Sequence, residues 1–138
     1  MKLEHNWITG FIDGEGCFFV GINKNKTMSL KIQVLPEFTV VQHKKDIKVL
    51  YALKEFFGCG IVKINHGNIM CYCVRNLKHL STIIIPFLDK YPLKTIKKFN
   101  FLRFKWIINA MIIKKYHLDS EGLKKIILVK NNMNKKTL

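Results

Sequence analysis

The chain has 138 residues, 24 lysines and arginines against nine acids for a formal net charge of +15, and 49% hydrophobic residues. That apolar content excludes a disordered polyelectrolyte, and the length is most simply one domain, 1–138, with its own core and a basic tail over 131–138 expected to be flexible. The charge makes a polyanion the expected partner, and no apolar run is long enough to span a bilayer, so nucleic acid is favoured and a membrane is not.

The N-terminus has Glu4 early and lacks an apolar core of the secretory kind, and it is not an Arg-rich transit peptide. Only Arg75 and Arg103 are arginine among the 24 basic residues. With the abundant Ile, Asn and Phe, this reads as A+T-rich coding and points to an organelle-encoded product, chloroplast or mitochondrial. The four cysteines, Cys17, Cys59, Cys71 and Cys73, show neither a paired zinc spacing nor a secreted framework and read as reduced thiols.

Residues 5–12 form a helix carrying Trp7, Ile8, Phe11 and Ile12, with Gly10 and Gly14 four apart. Small residues at that spacing let two helix backbones approach closely. The helix ends near Gly14 and Gly16, which leaves Asp13 and Glu15 where the macrodipole is negative and acids are unfavourable. A hard cation such as Mg²⁺, which prefers carboxylate, carbonyl and water oxygens, would repair this. Taken alone, DGEG reads equally as a Gly-rich turn with solvated acids.

Alternation follows. Phe18, Val20 and Ile22 share one face, continued after a turn at KNKTM by Leu30, Ile32, Val34, Phe38 and Val40, and Pro36 implies a bulge or an edge position. Asp46 caps a helix carrying Ile47, Leu50, Leu53 and Phe57, ended by Gly58. GIVKIN and IMCYCVR make a second hairpin around HGN, with Met70, Tyr72 and Val74 on the inner face. Asn76 caps a helix carrying Leu77, Leu80, Ile84 and Phe87. The longest helix is expected over 95–113 with Ile96, Phe99, Leu102, Trp106, Ala110 and Ile113 as its buried stripe, and a short Ser120-capped segment carries Leu123, Ile126 and Ile127. The order is that of an α+β domain with helices covering one face of an antiparallel sheet.

The other sheet face carries Asn23, Asn25, Lys31, Gln33, Thr39, Lys63, Asn65 and Arg75, with Glu37 as its one acid. Asn, Gln and Arg read base edges and Lys neutralises phosphate, although a solvated sheet face has similar polarity.

ITGFIDGEG, residues 8–16, closely resembles the nine-residue signature of the LAGLIDADG homing endonucleases. Residues 38–60, FTVVQHKKDIKVLYALKEFFGCG, and 91–98, YPLKTIKK, are similar to other recurrent blocks of that family. The resemblance implies an αββαββα(α) fold with a saddle-shaped sheet and a site-specific double-strand DNA endonuclease, intron-encoded, leaving 3′ overhangs. It implies that Glu15 and the Gly14 carbonyl bind Mg²⁺, with Mn²⁺ as a substitute, no small-molecule cofactor, and Asp13 chiefly in helix-end hydrogen bonding with metal ligation as its minority role. Gln42 and Lys94 match the family's water-ordering and lysine positions. A single motif implies a homodimer packed through Trp7, Gly10 and Phe11 on a long, pseudo-palindromic target. The alternatives are a non-cleaving intron RNA maturase and a DNA-binding protein on the same fold.

Overall fold

The structure, a computed structural model, describes residues 1–134. Helix α1 (His5–Glu15) runs directly into strand β1 (Gly16–Lys24), which turns back as β2 (Ile32–His43); a 3₁₀ turn leads into α2 (Ile47–Phe57). The second hairpin is β3 (Ile61–His66) and β4 (Ile69–Val74), followed by α3 (Leu77–His79), a π turn (Leu80–Ile84), α4 (Ile85–Lys90), α5 (Lys97–Ile112) and α6 (Ser120–Asn131). The expected α+β architecture holds: the strands make one antiparallel sheet in the order β1-β2-β4-β3.

Alternation decides which face is covered. Phe18, Val20, Val34, Phe38, Val40, Tyr72 and Val74 point to the helices and share a core with Ile8 and Ile12 of α1, Leu50 and Leu53 of α2, and Phe104 and Ile108 of α5. Period-two patterning on the strands and period-3.6 patterning on the helices therefore converge on one interior. The buried Tyr72 hydroxyl donates to the Cys59 carbonyl at 2.8 Å, so the one polar tip in that wall is satisfied.

Caps and breakers fall close to where the residues demand. Gly58 ends α2 in the left-handed conformation, φ 71°, and Asn76 accepts from His79 N to start the next helix. Asp46 stands at the N-cap of α2 without a side-chain capping bond. Pro36 lies opposite Val20 of β1, in a stretch of β2 that β4 does not reach, because the β2–β4 pairing begins at Phe38. Pro36 therefore has an open edge on its β4 side, and no bulge is present there. Pro86 enters just after the π turn, where the widened ring carries the helix past a residue without an N–H.

Three expectations are corrected. The buried face of α5 is Phe101, Phe104, Ile107, Ile108, Ala110 and Met111. Of the expected stripe only Ala110 is inside, and Ile96, Phe99, Leu102, Trp106 and Ile113 are exposed. This helix is apolar nearly all round, so its periodicity admits two stripes and tertiary contact selects one. The cap of α6 is Asp119, whose carboxylate accepts from Gly122 N, and Ser120 is the first helical residue. The tail expected to be flexible is held at its start: Met133 is buried, and Asn134 donates from its side chain to the Phe18 carbonyl at 2.9 Å. Residues 135–138 of that tail lie outside the described residues.

Candidate active site and nucleic-acid face

Helix α1 presents three stripes with different partners. Ile8 and Ile12 are fully buried in the core. His5, Thr9 and Asp13, four residues apart, face the segment between α4 and α5: the His5 ring stacks on Tyr91 at 4.7 Å, and Thr9 donates to the Tyr91 carbonyl at 3.0 Å. Asp13 then accepts from Lys94 N at 2.7 Å, from Thr95 N at 3.2 Å, and from the Thr95 hydroxyl. The third stripe is open. Trp7 is 44% exposed and stacked on Phe11, and a Cβ placed on Gly10 or Gly14 would meet nothing within 4 Å. Nothing among the described residues requires glycine there.

The Asp13 carboxyl is governed by opposing effects. Burial alone would raise it, but the Thr95 hydroxyl, the Lys94 and Thr95 amides and the Lys97 ammonium hold it below the usual carboxylate range. With both oxygens engaged, Asp13 is a fastener, in keeping with the hydrogen-bonding role expected of it. Glu15 is its opposite: an exposed side chain at the helix end with no hydrogen-bond or ion-pair partner among the described residues. The Ile12 carbonyl accepts from Gly16 N and ends the intrahelical ladder. The Asp13, Gly14 and Glu15 carbonyls lie past it, without helical donors.

The lysine beside this end of α1 is Lys97. Its ammonium donates to the Ile12 carbonyl at 3.2 Å. Burial lowers its pKa, while the Cys17 thiol, Asp13 and Glu15 nearby oppose that shift. Lys94 is exposed and meets α1 through its backbone N–H. The two stand in one short block, and the Asp13 clamp on residues 94–95 decides which side chain is turned inward. Lys97 opens α5, whereas Lys94 stands in the segment before it.

Gln42 sits near the end of β2, two residues past Val40, the partner of Gly16. Its amide oxygen accepts from His43 N at 3.0 Å, leaving its NH₂ donors unengaged by that bond. It shares the end of the sheet on which α1 terminates.

The open face holds most of the residues expected to meet nucleic acid, with different tethers. Asn23 and Gln33 are cross-strand partners on β1 and β2. Asn25 and Lys31 belong to the hairpin loop. The Asn25 oxygen accepts from Thr27 N, its NH₂ donates to Gln33, and Lys31 has φ 61° and donates to the Lys26 carbonyl. Thr39 lies between Cys17 and Cys73 in one row. Lys63 pairs with Cys71, and Asn65 is the extra residue of a bulge between Ile64 and His66. Arg75 is bonded to Glu37, Nε to Oε2 3.0 Å, so the one acid of the face is neutralised. All four cysteines are free, and burial raises Cys73 to about 11, which keeps it a thiol.

An acid-tipped helix running into β1, a second hairpin in the order β1-β2-β4-β3, and a basic open face are thus joined in one body. The LAGLIDADG endonuclease pattern matches residues 8–108 of the sequence. The chain belongs to the LAGLIDADG endonuclease family. Among solved structures, the homing endonuclease I-TnaI superimposes with a TM-score of 0.93 at 46% identity, covering 99% of this chain and 92% of that one. I-SmaMI bound to cleaved DNA gives 0.93 at 38% identity, covering 99% of this chain and 46% of that one.

Among curated relatives, the homing endonuclease I-ApeII of Aeropyrum pernix is 33% identical over 83% of this chain and 68% of its own length. Probable intron-encoded endonuclease 3 of Neurospora crassa is 35% identical over 93% of this chain and 24% of its own length. This LAGLIDADG chain therefore spans about a quarter of the length of its Neurospora crassa relatives, which reach 24% and 27% coverage. Sequence reasoning missed the Thr9–Tyr91 and Asp13–Thr95 ties and the inward position of Lys97. Their signal was the spacing His5, Thr9, Asp13 on one stripe of a motif helix.

Proposed function

We propose that the protein is a site-specific endonuclease of double-stranded DNA that hydrolyses one phosphodiester in each strand of a long, approximately two-fold symmetric target and leaves 3′ overhangs. The observation that carries this is the Glu15 carboxylate at the carboxyl end of α1, without a partner among the described residues, beside the Lys97 ammonium and at the edge of a basic sheet face. Relatives named as homing or intron-encoded endonucleases support the same reading.

The donor set fits a hard divalent cation. Glu15 and the Gly14 carbonyl are both oxygen donors, and the alignment of helix dipoles there favours positive charge. The described residues contain no group of three or more His, Cys, Asp and Glu able to hold a metal ion. Glu15 and the Gly14 carbonyl are the groups of this chain that would hold such an ion, together with the Glu15 of a second copy. Mg²⁺, with Mn²⁺ as substitute, would supply charge relief on the scissile phosphate and activation of the attacking water. Gln42 orients that water through its free NH₂, and Lys97, in place of the Lys94 expected from the sequence, stabilises charge developing on the phosphate. Asp13 holds the helix end and does not ligate.

The second Glu15 comes from a second copy. The open stripe of Trp7, Gly10, Phe11 and Gly14 is where the two α1 helices meet, close because the glycines leave room. The two open sheet faces then form a continuous saddle. An organelle-encoded intron product remains our reading of origin, supported by the Lys-rich composition and the intron-encoded relatives.

The test is cleavage of a randomised duplex library with Mg²⁺, with EDTA as control. Discrete products with Mg²⁺, absent with EDTA and with Glu15→Gln although that variant still binds the selected duplex, are the expected result. Undiminished cutting by Glu15→Gln would remove Glu15 from the chemistry, and binding without any cutting would leave a DNA-binding protein.

A further inference from the structure

The open face is not uniformly polar. Phe19 on β1 and Leu35 on β2 are 48% and 40% exposed there. The register sets Phe19 against Glu37 and Leu35 against Gly21. Because Gly21 has no side chain, the Phe19 ring leans over it: Cε1 lies 3.6 Å from where a Cβ of Gly21 would stand. Gly21 is buried as a result, although it sits on the open side. Phe19, Gly21 and Leu35 form the apolar floor of a shallow depression of about 230 Å³, with Asn23 at one end and the Glu37–Arg75 pair at the other.

Its position in the sheet says what it meets. β2 pairs with β4 only from Phe38 onward, so residues 32–37 are hydrogen-bonded to β1 alone. The depression therefore lies on a two-stranded ribbon that extends beyond the rest of the sheet, and a two-stranded ribbon fits the major groove of B-form DNA. An ion pair and an apolar floor offer a phosphate less than the cations Lys31 and Lys63 elsewhere on this face do. The one apolar feature on the major-groove edge of unmodified base pairs is the thymine 5-methyl group.

We infer that Phe19 and Leu35 are specificity-determining residues that receive the 5-methyl group of a thymine in the target's major groove. The inference rests on the DNA-binding part of the function proposed above and is independent of cleavage. Glu37 is explained with it: the carboxylate fixes Arg75 at the rim and, being paired, does not repel the duplex.

The test begins with a duplex selected from a random library by binding to the wild-type protein in EDTA. Each thymine is then replaced in turn by deoxyuridine, which lacks only the methyl group, and equilibrium binding is measured. At one thymine per half-site the replacement should weaken wild-type binding about fourfold, the effect of one buried methyl-sized group. Phe19→Ser/Leu35→Ser, a change at two exposed positions, should bind the thymine and deoxyuridine duplexes equally. Wild-type binding unchanged by deoxyuridine at every position, or equal thymine sensitivity in wild type and variant, overturns the inference. A protein that reads the methyl group but cuts nothing with Mg²⁺ would sink the endonuclease reading and leave this one standing. Absence of DNA binding would remove both.

Discussion

The Lys97 ammonium donates to the Ile12 carbonyl at 3.2 Å, so α5 begins by placing a cation on the last hydrogen-bonded turn of α1. Positive charge at that end of a helix opposes the negative pole of its dipole and the acids gathered there. Local stability and the proposed chemistry therefore draw on one side chain.

Lys97→Met should reduce cleavage about 100-fold or more, the scale of removing a preorganised charge from a reacting centre, with DNA binding retained. Lys94→Met should have a far smaller effect. The two variants are compared in single-turnover cleavage assays at matched DNA occupancy.

Burial holds the Lys97 pKa below 10.5, so cleavage that needs its ammonium should fall on the alkaline side sooner than an ordinary lysine would allow. In the window between that lowered value and the unfolded one, the unfolded chain binds more protons, so this group makes folding stability rise with pH. The activity loss is thus separable from unfolding. Lys97→Arg should move the alkaline limb away in a pH–rate profile.

Asp13→Asn removes charged acceptor oxygens from two backbone amides and a hydroxyl, and should cost about 1–2 kcal/mol in urea denaturation. Its lowered carboxyl pKa means the stabilisation is present above the unfolded value and is lost as pH falls through the folded one. The difference between wild type and variant should therefore shrink in acid. Equal sensitivity to acid in both would show that the clamp is worth nothing.

Gly10→Ala should stabilise the isolated chain by about 0.5–1 kcal/mol, because its methyl group meets open space and alanine is the better helix former. Gly10→Leu should leave the chain folded but block close helix pairing. Sedimentation equilibrium should find it monomeric, against the dimer proposed for the wild type, and the proposed cutting should disappear with the dimer.

Gly60→Ala is a purely structural prediction. Gly60 has φ +87°, and an added Cβ would lie 2.7 Å from Tyr72 Cε1 and 2.8 Å from the Cys73 carbonyl. Strain and overpacking together should cost about 3 kcal/mol, read as a lower urea midpoint.

The fold was legible because its strands alternate and most of its helices have one apolar stripe. Phe18, Phe38 and Tyr72 point inward where period two puts them. Legibility failed in α5, where Phe99 and Trp106 compete with Phe101 and Phe104 on chemically equal terms. At the site, Asp13 and Glu15 were expected from the motif at 8–16, and Gln42 from the separate block at 38–60. The choice between Lys94 and Lys97 was not legible, because it depends on a turn fixed by contacts some 80 residues away in sequence. Arg75 was legible as a cation on the open face, but its partner Glu37 is on a strand 38 residues earlier.

The tie between Asp13 and Lys94 also orders events in time. A ribosome adding about 5–20 residues per second has made the acid-bearing helix well before it makes the lysine. The two are separated by 81 residues, roughly 4–16 s of synthesis at that pace. During that interval the nascent chain holds Glu15 without the clamp or Lys97. An interrupted translation product ending before residue 94 would carry the family's signature with neither the Asp13 clamp nor Lys97 in place.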